Sequence, residues 1–168
     1  MWIQGLAKGD KMDSIVRDAT ELGATRVLPV VTAFSVVQLD GPRAAARMTR
    51  WARIAEEAAR QCGRADPPVV EPPRSWAEAV AGAGAAARFC LHERAKDPLG
   101  PGLARALAAG SSLAFAAGPE GGLSEAEVAG AAAGGFEVVS LGPFVLRAET
   151  VATAVLGAVR VLLADSAR

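Results

Sequence analysis

Two glycine-rich stretches offer the clearest chemistry in this chain. Ala117-Gly118-Pro119-Glu120-Gly121-Gly122-Leu123-Ser124 and Leu141-Gly142-Pro143-Phe144-Val145-Leu146-Arg147 each follow a short apolar run and lead into a helix signal. Residues 112–117 and 136–140 read as the two strands, each stopped by a Gly-Pro turn. Ser124-Glu125-Ala126-Glu127 is a capping box that starts the first helix, and an apolar helix starts near Ala148. The glycines permit backbone angles and close approaches that a Cβ would block, so a ligand there can touch main-chain N–H and C=O groups. Two such loops at the ends of neighbouring strands could hold a small polar molecule between them. Either loop alone is equally readable as an ordinary βα turn.

Other chemistries lack their residues. No Ser/His/Asp set, metal-ligand cluster or paired carboxylate stands out. His92 is the single histidine, a residue found more often at a surface or strand end than acting as a base. No Gly-Lys-Ser/Thr follows the glycines, which argues against nucleoside triphosphates, and the absence of GxGxxG argues against dinucleotides. Cys62 and Cys90 have no metal-ligand spacing and make no disulfide framework.

The elements that must position the loops alternate between strand and helix. Residues 1–6 read as a strand; Met12, Ile15, Val16, Ala19 and Leu22 follow helical spacing, with Gly23 where a helix-ending glycine belongs. Residues 26–31 form the next strand, Val36-Val37 could extend a second edge, and Gly41-Pro42 opens a helix over 42–61. Val69-Val70 is a short strand, Ser75-Trp76-Ala77-Glu78 a second capping box, residues 88–91 a strand, 98–102 a turn and 103–107 a short helix. This alternation predicts a mostly parallel α/β sheet with helices on both faces.

The helix over 42–61 separates its faces. Ala44, Met48, Trp51, Ala55 and Ala58 gather on one side at 100° per residue. Arg43, Arg47, Arg50, Arg53, Arg60 and, if the helix runs that far, Arg64 share a neighbouring arc with little acid beyond Glu57. That arc is either a solvated face or a phosphate-contacting surface. The last helix is apolar nearly all round, through Val151, Val155, Leu156, Val159, Leu162 and Leu163. It is either a central core helix or one whose outer side is covered by a second subunit.

The 168 residues suit one domain with a real core, and 51% hydrophobic residues exclude a disordered chain. With zero net charge the molecule is no polycation, so any nucleic-acid contact must come from a local patch. The most apolar segment, 151–164, contains Thr153 and Arg160 and is too short to span a membrane. No signal-peptide pattern opens the chain, so a cytoplasmic protein is expected.

As a set, the motifs Lys8-Gly9-Asp10-Lys11-Met12-Asp13, Ala19-Thr20-Glu21-Leu22-Gly23, Arg50-Trp51 with Glu57-Ala58 and Gln61 to Arg64, GPEGGLSEAEV and LGPFVLRAET resemble the RsmE-type ribosomal RNA methyltransferases of the SPOUT superfamily. The resemblance covers nearly the whole chain. It implies a deep C-terminal trefoil knot, S-adenosylmethionine as cofactor, a homodimer, no metal, and 16S rRNA in the small ribosomal subunit as substrate, methylated at N3 of a uridine. It places the cofactor against Leu91, His92, Gly118, Glu120, Gly121, Gly122, Leu141, Gly142 and Leu146. Arg147 would stabilise the uracil anion, with Glu149 orienting Arg147 or accepting the proton.

Two departures stand out. Phe34 and Phe144 occupy positions where relatives often carry Arg, removing charge expected near RNA. The resemblance also leads one to expect a small β-rich N-terminal RNA-binding domain, and the sequence reads as starting at the catalytic domain, either as a piece of a longer protein or as a protein without that domain. A SPOUT enzyme acting on a ribose 2′-hydroxyl, and a non-catalytic RNA- or cofactor-binding domain, are the competing readings.

Overall fold

The computed structural model describes residues 1–35 and 41–166. Its elements run β1 (Trp2–Gly5), α1 (Lys11–Glu21), β2 (Arg26–Val31), α2 (Gly41–Cys62), β3 (Val69–Val70), β4 (Arg74–Ser75), α3 (Trp76–Ala81), β5 (Ala87–Leu91), α4 (Leu99–Ala108), β6 (Leu113–Ala117), α5 (Glu125–Ala133), β7 (Glu137–Val139) and α6 (Ala148–Ser166). The strands pair in the order β3-β2-β1-β6-β5-β7, with β4 also on β2, and every pairing among them is parallel. The expected α/β architecture is therefore present.

Strand alternation divides the core into two layers. Trp2, Val27, Phe89 and Phe115 face α1, α2, α4 and α6. Their neighbours Ile3, Leu28, Cys90 and Ala116 face α3 and α5. Phe89 and Phe115 stack with centroids 5.6 Å apart, and Trp2 lies 6.2 Å from Phe115. Most of these strands are thus buried on both faces, which is why they read as continuous apolar runs.

The helices follow their predicted patterns. Met12, Ile15, Val16 and Ala19 are buried along α1, and Gly23 ends it at φ +93°. Trp51, Ala55 and Ala58 are buried along α2, with Trp51 Nε1 donating to Asp13 Oδ1 at 3.1 Å. Both capping boxes form, at Ser75–Glu78 and Ser124–Glu127.

Four points depart from or refine the sequence reading. Helix α4 begins at Leu99 rather than 103, because Pro101 lies in its first turn, where proline is tolerated. The two-residue β4 was not anticipated. Val36 and Val37 lie outside the described residues. Helix α6 divides its apolar surface: Ala148, Ala152, Val155 and Leu156 are buried in the chain's own core, and Val161, Leu162 and Leu163 are exposed. The core reading therefore holds for the first turns of the helix, and the later turns are exposed on this chain.

One contact ties the sheet to the glycine loop. Gln4 is fully buried, accepts from Trp2 Nε1 at 2.9 Å, and donates to the carbonyls of Gly5 and Gly118 at 3.1 and 3.0 Å. A Cβ on Gly5 would stand 2.5 Å from Pro119 Cδ, 2.6 Å from Pro119 N and 2.9 Å from Gly118 C. Two of those atoms are backbone, so the clash has no flexible end to relax into. Gly5→Ala is expected to lower the melting temperature by an amount equivalent to about 1–3 kcal/mol. An unchanged thermal transition would show that the loop is not held against β1.

Candidate functional site

The carboxyl ends of β5, β6 and β7 and the start of α6 enclose a cavity of about 420 Å³. Cavities in this size range suit cofactors and other small ligands, and parallel α/β sheets place them at this end. All nine residues expected to hold the cofactor line it: Leu91, His92, Gly118, Glu120, Gly121, Gly122, Leu141, Gly142 and Leu146. Arg147 lines it too, and Lys11 closes one side from the start of α1. Its walls combine the apolar Leu91, Leu141, Leu146 and Val151 with the charged Glu93, Glu120, Lys11 and Arg147.

The walls are held by backbone and capping contacts. His92 N–H donates to the Val139 carbonyl at 2.9 Å, fixing the end of β5 to β7. Glu127 Oε2 accepts from Ser124 N–H at 2.8 Å, while its Oε1 accepts from Ala33 N–H at 2.7 Å. One capping residue thus starts α5 and also docks the turn after β2 beside the loop. Phe34, in that turn, lies over Gly121, where a Cβ would stand 2.8 Å from the Phe34 Cβ.

That packing changes the reason for the glycines. Gly118 lacks a Cβ because Gly122 C would lie 2.7 Å from it, and Gly122 adopts φ +73°. Gly118 and Gly121 therefore shape the loop against itself and against Phe34. Gly142, at φ +110° with open space around it, serves the second turn.

Charge is concentrated at one edge of the cavity. Lys11 Nζ pairs with Glu120 Oε1 at 2.8 Å and stands 4.0 Å from Glu149 Oε2. Lys8 N–H adds a bond to Glu120 Oε1 at 3.0 Å. Glu149 Oε2 is buried with no hydrogen-bond partner among the described residues. Arg147 is exposed, and Phe144, 81% exposed, presents an aromatic face at the mouth.

Lys11 and Glu93 escaped the sequence reading as site residues. A signal for Lys11 existed: a cation in the first turn of a helix opposes the helix dipole and needs a partner elsewhere.

The arginine arc is narrower than the sequence suggested. Helix α2 stops at Cys62, so Arg64 leaves the arc; its guanidinium donates to the carbonyls of Thr20 and Ala24 at 2.6 and 3.0 Å. Arg50 pairs with Asp13, a partner far away in sequence. Arg53 pairs with Glu57 at 2.8 Å, one turn along. Arg43, Arg47 and Arg60 have no ion-pair partner among the described residues and leave an open cationic stretch. Also among the described residues, no group of His, Cys, Asp and Glu could hold a metal ion, and no helix is long and apolar enough to cross a membrane.

The Lys11–Glu120 pair has a defined pH window. Burial pushes the Glu120 carboxyl up, but hydrogen bonds from Lys11 and from backbone N–H groups outweigh it and hold the pKa below the ordinary 4.5. The hydrogen bond to Glu120 raises the Lys11 ammonium above 10.5. Glu120 therefore contributes stability above pH 4.5 that is lost as pH falls through its lowered value, and Lys11 contributes below 10.5 and loses it at higher pH. The melting-temperature gap between the native chain and Glu120→Gln should hold steady across neutral pH and close in acid. A gap that persists in strong acid would show that the ion pair is not its source.

Comparison with known proteins identifies the family. The sequence profile described as "RNA methyltransferase domain" matches residues 1–160. Ribosomal RNA small subunit methyltransferase E of Bacillus subtilis is 36% identical over 160 residues, covering 92% of this chain and 62% of that protein. The crystal structure of the Neisseria gonorrhoeae protein of the same name, bound to S-adenosyl methionine, is 32% identical with a TM-score of 0.83, covering 96% of this chain and 65% of that one. A putative methyltransferase from Legionella pneumophila, in complex with bound SAM, is 30% identical with a TM-score of 0.85, covering 96% and 65%. The chain thus spans a little under two thirds of the length of these relatives. The SpoU methyltransferase AviRb from Streptomyces viridochromogenes, 19% identical with a TM-score of 0.57, shares the fold. With its profile matched along nearly all of its length, the chain belongs to the RNA methyltransferase domain family.

Proposed function

We propose that the chain methylates N3 of a uridine in 16S ribosomal RNA, using S-adenosylmethionine. The observation that carries this reading is the convergence of nine expected cofactor residues and Arg147 on one cavity. The cavity suits the cofactor chemically: apolar side chains can cover an adenine, and the carboxylates of Glu93 and Glu120 offset a positively charged sulfonium and ammonium. When bound, the cofactor supplies an electrophilic methyl on sulfur and leaves as a neutral thioether.

The remaining chemistry falls to this chain. N3 of uridine carries a proton at neutral pH, so that proton must go before its electron pair can form the N–CH3 bond. Glu149, two residues along from Arg147 at the start of α6 and not itself among the residues lining the cavity, orients Arg147 or takes the proton. Arg147, at the mouth, stabilises the charge that spreads onto the base oxygens. The glycine loops hold the methyl in line with N3. Arg43, Arg47 and Arg60 along α2 contact RNA phosphates. Phe144 stacks on a base where relatives often carry Arg.

The same reading brings the trefoil knot, a cytoplasmic location beside the small ribosomal subunit, and a homodimer. Supporting the dimer, Val161 and Leu163 of α6 are 63% and 50% exposed, and Val145 in the second loop is 80% exposed. Exposed apolar surface of this kind fits a subunit contact.

Arg147→Ala should lower the methylation rate about 100- to 1,000-fold with cofactor affinity nearly intact. Arg43→Ala or Arg47→Ala should instead weaken RNA binding and flatten its salt dependence by about one unit of slope per contact. Rescue of Arg147→Ala by excess RNA would reduce that residue to a binding role. Mass mapping that finds the methyl group on a ribose oxygen would replace the uridine-N3 reading. For the dimer, Val161→Glu should yield monomers in sedimentation, since a charge buried in the contact would be unpaired; a native chain that sediments as a monomer at high concentration would end the dimer reading.

A further inference from the structure

The chain has five phenylalanines, three tryptophans and no tyrosine. Trp2, Trp51, Trp76, Phe89, Phe115 and Phe136 are buried. The remaining pair, Phe34 and Phe144, are exposed, and both stand beside the cavity described above. Phe144 lines it. Phe34 is not among the lining residues; it packs on Gly121, whose backbone forms part of the cavity wall. The two rings therefore serve different bases. The turn that carries Phe34 is fixed before any ligand arrives. Ser35 N–H donates to the Thr32 carbonyl at 3.1 Å and closes a β-turn. Thr32 N–H donates to Ser35 Oγ at 3.1 Å, and Ala33 N–H donates to Glu127 Oε1 at 2.7 Å. Phe34 lies at the tip of this turn, 49% exposed. One exposed apolar side chain is unremarkable by itself. A ring already held in place beside an RNA site is different, because every base has a π face and little freedom is lost on contact.

We propose that Phe34 is a stacking platform for the base of a nucleotide neighbouring the target uridine. This rests on the uridine-N3 reading given above. Phe144 takes a base at the cavity, and Phe34 takes the neighbour beyond the Gly121 wall. The substrate is then a strand unpaired both at the target and at that neighbour, since a base within a duplex keeps its faces in the stack. A second copy of this chain is the other kind of cover. A subunit contact needs contiguous apolar area, whereas Phe34 stands between Ala33 and Ser35 at the tip of a turn. A single flat ring suffices for a base. Stacking also supplies affinity in a chain whose net charge is zero, where overall attraction to phosphates is absent.

The test crosses ring variants with abasic RNA. Reconstituted small ribosomal subunits carry an abasic residue at each nucleotide flanking the target in turn, and binding is measured for the native chain, Phe34→Ala, Phe34→Leu and Phe34→Tyr. Phe34→Ala should weaken binding to intact subunits about 5- to 100-fold. The factor should be the same at low and high salt, because stacking releases no counterions, whereas the loss in Arg43→Ala shrinks as salt rises. Phe34→Tyr should bind like the native chain, and Phe34→Leu, which keeps an apolar side chain on Gly121 without a ring face, should lose nearly as much as Phe34→Ala. One flanking abasic position should weaken the native chain and leave Phe34→Ala unaffected. If Phe34→Leu binds like the native chain, or if no flanking position couples to Phe34, the ring only packs on the loop and the proposal is wrong. If the weaker binding accompanies a change from dimer to monomer in sedimentation, the ring belongs to a subunit contact and the proposal is equally wrong. Should Phe34→Ala not fold, Phe34→Leu and Phe34→Tyr run the same comparison. Mapping the methyl on the native product separates the two readings: a methyl away from N3 removes the uridine-N3 function itself, whereas a methyl on N3 with no abasic coupling removes only the role of Phe34.

Discussion

The structure depends on how closely the end of β1 approaches the loop after β6. Parallel pairing puts Gln4 opposite Ala117, and the chain continues from Ala117 directly into Gly118-Pro119. Gln4 reaches the Gly118 carbonyl, and Gly5 leaves room for the proline ring. A buried glutamine in a central strand would be costly if its amide were unmet, and here each polar atom has a partner. The strand thereby transmits the rigidity of the core to a loop that would otherwise be free to move. Loop shape follows from this anchor: Gly118 folds against Gly122, and Gly121 receives Phe34.

On that frame, charge is distributed unevenly. Most ion pairs lie on the surface, where such pairs contribute little to stability. The group around Lys11 differs because it joins three elements that are distant in sequence: the start of α1, the loop after β6 and the start of α6. Its geometry is incomplete, with one carboxylate oxygen of Glu149 unmet. A buried polar atom left unmet in this way is the exception in folded proteins. The fully paired Glu71, bracketed by Arg26 and Arg74 at the other edge of the sheet, shows what a purely structural carboxylate looks like in the same chain.

Helix α6 serves both the core and the outer surface. Its first turns pack on α1, where Thr153 Oγ1 donates to Asp18 Oδ2 at 2.9 Å, and its buried face completes the same layer as Trp2 and Phe115. Its later turns expose Val161 and Leu163. An apolar residue on a helix thus has different consequences at different turns, and only the position of neighbouring elements decides between them.

Much of this molecule was legible in the residues. Local rules located most elements, because the signals are short-range: apolar spacing along α1, Gly23 at its end, capping boxes at Ser75 and Ser124, and Gly-Pro turns after two strands. The family motifs further named the residues that line the cavity. What the sequence could not decide was long-range. That Arg50 would be drawn to Asp13, that Arg64 would turn onto the carbonyls of Thr20 and Ala24, and that Lys11 would meet Glu120 depends on partners far along the chain. Even the glycines illustrate the divide. Their presence announced a tight loop, but that Gly121 is small because Phe34 lies over it, and Gly5 because Pro119 does, follows only from packing strands and turns together in three dimensions.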